Sequence, residues 1–329
     1  MSTIVTNYSK HGDIDKYIYQ NHNKKEQYLQ YREKWEKSKE NEDLLFLLLE
    51  TTYKCNFVCP MCIHSQGYKK APYMTNELFE MVLQEIEKNK IPSISMSQIN
   101  EPLLDKEIVH RISAVSRIDS VVDIHMNTNA SLLNEEMSLK ILESGLTRLL
   151  IGYDGFSKET YEAIRVGGNF DKVTENILNF LKLKKELKKV FPVVRISFVR
   201  TSLNEHEVED WYNFWKDKVD YISIQEFKTQ SEEKSDLQAE STERKKINHD
   251  EITCNEPFER LVIRGDGAVL PCCAFEATEM PVGNIKDLGL SDIWHGKKMK
   301  DMRQMFIDNT WRKNEICKRC LEISYGINE

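Results

Sequence analysis

Cys55, Cys59 and Cys62 stand in the run Cys55-Asn56-Phe57-Val58-Cys59-Pro60-Met61-Cys62, just after the apolar stretch Leu44 to Leu49 and the pair Thr51 and Thr52. A cuboidal iron-sulfur cluster has four irons, and three thiolates from one tight loop hold three of them while the fourth stays open to another ligand. That open iron is where chemistry would take place. A second set, Cys254, Cys272, Cys317 and Cys320, is spaced C-x17-C-x44-C-x2-C, and four thiolates close a cluster site completely. Between its first two members, Phe258 to Pro271 predicts a hairpin, because β-rich runs flank the Asp266-Gly267 turn and leave a thiol on each side. Zinc is the competing occupant, since it takes four thiolates tetrahedrally at similar spacings, and His64 would then be the fourth ligand of the first set. Disulfides fit least, because eight cysteines in clustered groups without a secretory signal suit a reducing compartment.

The C-x3-C-x2-C loop at the end of a first strand resembles the signature of the radical S-adenosylmethionine (radical SAM) enzymes. The resemblance implies a 4Fe-4S cluster whose free iron chelates the amino and carboxylate groups of SAM. It further implies reductive cleavage of SAM to a 5'-deoxyadenosyl radical, with an electron donor such as flavodoxin or ferredoxin. The second cysteine set resembles the "twitch" module, the shortened one-cluster form of the SPASM extension, as do Val282-Gly283-Asn284-Ile285 and Ser291-Asp292-Ile293-Trp294. A second, auxiliary 4Fe-4S cluster on Cys254, Cys272, Cys317 and Cys320 is implied.

These loops need a scaffold, and from Leu44 onward β-like runs alternate with amphipathic runs six times, the pattern of a parallel sheet with crossover helices. Strands are predicted over Leu45 to Thr51, Ser93 to Gln98, Val121 to Met126, Arg148 to Tyr153, Val193 to Val199 and Tyr221 to Glu226. Helices are predicted over Asn76 to Lys88, Asp105 to Val115, Glu135 to Ser144, Asp171 to Lys189 and Glu205 to Lys218. Six units fall short of the eight that close a full barrel. The expected fold class is α/β, a partial (β/α)6 TIM-type barrel with a small C-terminal α+β auxiliary-cluster domain. Residues 1–43 read as a polar helical extension, with Lys24 to Glu42 a charged, solvent-facing helix. The barrel takes 44–230, a hydrophilic linker 231–250 and the auxiliary domain 251–329.

Active sites of parallel barrels lie at the C-terminal strand ends. There the resemblance places Met61 against the adenine. Ile99-Asn100-Glu101-Pro102 resembles the family's Gly-Gly-Glu-Pro element, so Asn100 and Glu101 are expected at the SAM amino group, the carboxylate through a charge-assisted bond. Asn127-Thr128-Asn129-Ala130 resembles Thr-Asn-Gly and puts Asn129 near the cofactor. Gly152-Tyr153-Asp154-Gly155 resembles Ser-x-Asp-Gly, with Tyr161, Ile164 and Arg165 on the helix that follows. Asp154 is a candidate substrate contact or simply a turn residue. Alternation puts Arg195, Ser197 and Val199 on one face of a strand, Ser197 resembling a ribose contact and Arg195 fitting the SAM carboxylate. Gln225 and Glu226 end the last strand as further substrate candidates. Cys273 beside Cys272 points elsewhere, either a small buried residue or a thiol that returns hydrogen to a substrate radical.

The 329-residue chain carries a formal charge of −7, which argues against nucleic acid as partner, because backbone phosphates demand a basic face. It has no transmembrane run and no charged n-region followed by an apolar segment, so a cytoplasmic enzyme without membrane association is expected. Hydrogen abstraction from an unactivated C-H bond is the expected reaction, as dehydrogenation or epimerisation of a sugar, nucleotide-sugar or cyclitol. The resembling aminocyclitol dehydrogenase has a twitch module of similar spacing. The first 43 residues are too short and polar for the winged-helix domain common in peptide-modifying relatives. A peptide maturase making a thioether or carbon-carbon crosslink is the second reading, and a zinc-bound scaffold without catalysis a third.

Overall fold

The structure is a computed structural model that describes residues 7–40, 42–227, 236–239 and 252–325. Its N-terminal elements are β1 (Asn7–Ser9), α1 (Ile14–Asn21) and α2 (Lys25–Glu36). Strand and helix then alternate through β2 (Phe46–Leu49), α3 (Asn76–Lys88), β3 (Ser93–Ser95), α4 (Ile108–Ser116), β4 (Asp123–Thr128), α5 (Glu135–Glu143) and β5 (Arg148–Gly152). Next come α6 (Lys158–Ile164), α7 (Phe170–Glu186), β6 (Val193–Arg200), α8 (Val208–Trp215) and β7 (Tyr221–Glu226). The C-terminal part holds α9 (Glu256–Glu259), β8 (Arg260–Ile263), β9 (Ala268–Leu270), β10 (Gly283–Asn284), α10 (Leu290–Trp294), α11 (Lys297–Ile307) and α12 (Glu315–Tyr325).

Helix α3 illustrates how the crossovers form. Thr75 accepts from the Leu78 N–H as its cap, and Leu78, Phe79, Val82 and Ile86 bury one face at helical spacing. That face belongs to one continuous core together with alternate strand residues, among them Leu47, Ile94, Ile124, Leu149, Ile196 and Phe198. The other alternate positions face the barrel interior and are polar, with Ser93 and Ser95 on β3, His125 and Asn127 on β4, and Arg195 and Ser197 on β6. Apolar residues hold the helices on, and polar ones line the lumen.

Strands β2 to β7 are parallel neighbours in the order of the chain, as expected of a partial barrel. Both open edges are covered. Strand β8 pairs parallel with β2, Phe46 opposite Arg260, and carries the sheet on into the antiparallel run β8-β9-β10. At the far edge β1 pairs antiparallel with β7. Such pairing removes unpaired backbone groups that would otherwise recruit another chain.

The expectation of a solvent-facing helix over Lys24 to Glu42 is corrected. Tyr28 and Tyr31 of α2 are buried with Ile18, Leu45, Val122 and Val193 and plug the N-terminal end of the barrel. The reason is an aromatic stripe three and four residues apart, hidden in a polar segment. Tyr28, Tyr31, Trp35 and Phe46 stack edge to face with centroids 6.1, 6.0 and 5.9 Å apart in turn. Arg148 fixes the plug from inside, reaching Asp123 at 3.0 Å and Asp15 at 2.8 Å. Of the linker predicted over 231–250, only 236–239 fall among the described residues.

The predicted hairpin is β8 and β9, with Val262 opposite Leu270. Gly267 takes φ +89° and its N–H donates to the Arg264 carbonyl at 2.9 Å. Gly265 lies so close to the Pro72 carbonyl that no Cβ fits. The hairpin tip is therefore pressed into the loop that follows Cys62.

Candidate functional site

A cavity of about 500 Å³ opens at the C-terminal ends of β2 to β7. Cys55, Cys59 and Cys62 line one side. Their loop is held by its surroundings: the Val58 N–H donates to the Val166 carbonyl at 2.8 Å, and the Asn56 side chain bonds Asn129 and Ser131, both at 2.9 Å. Burial pushes the Cys55 thiol up to about 11, with the charges of Glu101, Cys59 and Cys62 adding to it. Burial raises Cys59 too, opposed by the Arg165 guanidinium. Thiols raised in this way, Cys55 and Cys59, become thiolates at neutral pH only beside a strong cation, which is what iron supplies.

Met61, Asn100, Glu101, Asn129, Arg195, Ser197 and Gln225 also line the cavity, so the structure brings the expected cofactor residues together. Glu101 is buried and held by three donors, the Leu103 N–H at 3.1 Å, the Thr128 hydroxyl at 2.8 Å and the Asn129 N–H at 2.7 Å. Asn100 accepts from the Gln98 N–H at 2.8 Å, while its own Nδ2 is buried without a partner among the described residues. An orphaned amide donor and an immobilised carboxylate beside three thiols fit the amino-acid end of SAM. Asn129 is spent internally, on Asn56 and Ser131. The Ser197 hydroxyl donates to the Ile151 carbonyl at 3.3 Å.

Other expected residues lie elsewhere. Asp154 is fully buried and does not line the cavity; its carboxylate holds Arg165 at 2.5 Å and accepts from the Val199 N–H at 2.7 Å. Expected as a substrate contact or a turn residue, it is placed as a buried anchor, because among the described residues its one ion pair is with Arg165 at the end of α6. Glu226 pairs with Arg200 rather than facing the cavity. His64, by contrast, does line the cavity, and it bonds the Tyr53 carbonyl through Nε2 at 2.8 Å.

Arg165 is the residue that sequence reasoning left without a role. It lines the cavity, and its charge is stabilised by Asp154, Cys59 and Cys62 against the cost of burial. Gly152 makes room for it, since a Cβ there would meet the guanidinium. The glycine found where the resembling motif has serine is explained by this approach. A buried Asp at a strand end, needing a cation, was the available signal.

The C-terminal cysteines gather around the hairpin. Burial pushes Cys254 up to about 12, with further contributions from Glu256, Cys320 and Cys317. Cys317 is pushed up to about 11 by burial and by Cys320, and Cys272 is raised strongly. Among the described residues no three His, Cys, Asp or Glu side chains converge as one metal ion requires. The Cys273 thiol donates to Glu256 at 3.3 Å and is not on the cavity wall, while its carbonyl accepts from Gln98 at 3.1 Å. Gln98 thus bridges the cavity wall and the auxiliary domain.

Residues 49–214 match the radical SAM superfamily and residues 254–321 match the SPASM iron-sulfur cluster-binding domain. The chain belongs to the radical SAM superfamily and carries a C-terminal SPASM domain. It is similar to GTP 3',8-cyclase of Clostridium botulinum, 27% identical over 180 residues, or 54% of either chain, and so spans about half the length of that curated relative. Its fold is similar to BtrN in complex with AdoMet and 2-DOIA, with 19% identity, 83% of this chain and 91% of that one covered, and a TM-score of 0.53. Streptococcus suis SuiB bound to precursor peptide SuiA has a TM-score of 0.63 at 15% identity over 84% of this chain and 71% of that one. Among the described residues no helix is long and apolar enough to cross a membrane.

Glu101 gives a first expected result. Burial raises its carboxyl to about 7, against the three donated hydrogen bonds that pull it down. SAM affinity in the reconstituted protein should therefore weaken as pH falls through 7, because protonation removes the charge that the amino group meets. In Glu101→Gln affinity should be about ten- to a hundredfold weaker and flat across that range, as charge-assisted bonds contribute about 1.5–3 kcal/mol. Stability runs the other way. The raised carboxyl contributes stability that is complete below its ordinary value of 4.5 and is lost as pH rises through about 7. Calorimetric SAM titrations at several pH values would reveal the trend, and a pH-independent wild type would contradict it.

Proposed function

We propose that this radical SAM enzyme abstracts a hydrogen atom from an unactivated C-H bond of a small hydroxylated substrate and dehydrogenates it. Cys55, Cys59 and Cys62 would hold the SAM-binding cluster, and Cys254, Cys272, Cys317 and Cys320 the auxiliary one. When bound, the first cluster and SAM supply a deoxyadenosyl radical, and the second supplies capacity to accept an electron. The observation that carries the substrate class is the rest of the cavity wall. Gln98, Asn127, Ser197 and Gln225 offer amides and a hydroxyl, groups that suit the hydroxyls of a sugar or cyclitol. Residues 7–36 are committed to one sheet edge and the barrel plug and form no separate peptide-recognition domain. BtrN, of similar fold, was solved with AdoMet and 2-DOIA.

Dehydrogenation is favoured over epimerisation because the Cys273 thiol is engaged with Glu256 and lies off the cavity wall. Glu101 and Asn100 orient the amino-acid end of SAM, Met61 covers the adenine, and the plugged barrel end limits water entry from below. The test is anaerobic turnover with SAM, dithionite and carbon-deuterated sugars, cyclitols or nucleotide-sugars. Deuterium should pass into 5'-deoxyadenosine and the product should be two hydrogens lighter. A product of inverted stereochemistry in which one hydrogen has replaced the deuterium indicates epimerisation instead. Deuterium transfer from peptides alone would replace this reading with peptide maturation.

A further inference from the structure

Within the same cavity, Arg195 has no acidic partner. It sits on the inward face of β6, in register between Leu150 of β5 and Tyr221 of β7, below Ser197 and Val199. Its Nε is buried without a hydrogen-bond partner, and no ion pair to it exists among the described residues. Tyr221 stands opposite it on β7, and burial, with repulsion from Arg148, works against its charge. Arg148 itself is satisfied by Asp123 and Asp15. The Arg165 guanidinium lies at Gly152, which pairs with Ser197, whereas Arg195 pairs with Leu150, two residues further down the strands. The SAM carboxylate must lie at the open iron, so Arg165 is the guanidinium placed to meet it. Arg195 is set deeper, where the substrate must reach.

We propose that Arg195 is the specificity-determining residue of the substrate subsite and binds an oxyanion, phosphate or carboxylate, carried by the hydroxylated substrate. This rests on the reading of the cavity given above. A guanidinium held in a largely buried wall without a counter-charge costs free energy in the empty protein, and a bidentate oxyanion recovers it. Gln225, on the neighbouring β7, and Asn127, on β4, line the same cavity and are at hand for the hydroxyls.

The test uses the anaerobically reconstituted full chain saturated with SAM, so that the SAM subsite is filled. Inorganic phosphate, malonate and neutral myo-inositol are titrated as probes, with SAM affinity measured alongside. Wild type should bind phosphate or malonate, and Arg195→Gln should weaken that binding at least tenfold while leaving SAM affinity within about twofold. Preference for phosphate identifies a phosphorylated substrate, and preference for malonate a carboxylated one. Equal oxyanion binding in the two proteins overturns the proposal, as does a parallel loss of SAM affinity in Arg195→Gln. If Arg195→Gln does not fold, Arg195→Lys decides: it keeps the charge and loses the fork, so oxyanion binding should weaken several-fold, and unchanged binding overturns the assignment. Substrate-independent formation of 5'-deoxyadenosine by the same preparations tests the radical reading separately.

Discussion

Cys59→Ala should lose SAM cleavage entirely, with 5'-deoxyadenosine below detection, and its iron content should fall from about eight to about four per chain. Cys59 is buried at the turn of the loop and is a thiol that Arg165 faces, so alanine would remove an iron ligand while Asp154 still holds the guanidinium. Cys317→Ala is the informative counterpart. It should also lose about four irons, yet keep SAM cleavage, because its thiol belongs to the SPASM set and not to the cavity. Iron and sulfide analysis with electron paramagnetic resonance of the reduced proteins would separate the two. Retention of all the iron by Cys59→Ala, together with SAM cleavage, would falsify the assignment of the first cluster.

The second large effect is expected far from the cavity. Arg264, at the hairpin tip, is buried and reaches Glu50 at 3.0 Å, and Tyr68 donates to the same carboxylate at 2.5 Å. Its other nitrogen meets the Lys69 carbonyl. Glu50 precedes Thr51, Thr52 and the cysteine loop, while Tyr68 and Lys69 follow it. One guanidinium therefore ties the auxiliary hairpin to both ends of the cluster loop. Arg264→Ala should cost about 3–5 kcal/mol, because it leaves a buried carboxylate without its partner. Glu50→Met combined with Arg264→Met should recover much of that loss, since an apolar pair of similar volume avoids the desolvation cost. Denaturant unfolding of the two variants would measure it. A single mutant as stable as wild type would show that the tie carries no load.

The barrel was readable because its signals are local. Helix α3 and strand β7 have the end residues expected of them, and what fixes α3, a threonine cap and apolar residues at helical spacing, lies within its own segment. The cysteine sets were readable for the same reason, their spacing being a property of short segments. What escaped depends on distant partners. Strand β1 has three residues and exists only because β7 offers it an edge. Helix α2 looks polar until Tyr28 and Tyr31 find the barrel mouth. Asp154 at a strand end has the signature of a ligand contact, and its engagement with Arg165 requires a helix to fold back first. Arg264 reads as a turn-flanking charge and becomes a buried tie through residues two hundred positions earlier.

The two covered edges of the sheet have a consequence for how the protein is made. Phe46 emerges from the ribosome more than two hundred residues before Arg260, its neighbour in the sheet, and Asn7 waits as long for Ser223. Throughout that interval the nascent barrel exposes bare strand borders, the kind of surface that chaperones shield and that aggregates exploit. Because Cys317 and Cys320 are translated more than two hundred residues after Cys62, the two thiol sets become complete at separate stages of synthesis. A ribosome stalled before codon 260 would hold the first loop complete and its neighbouring edge still unguarded.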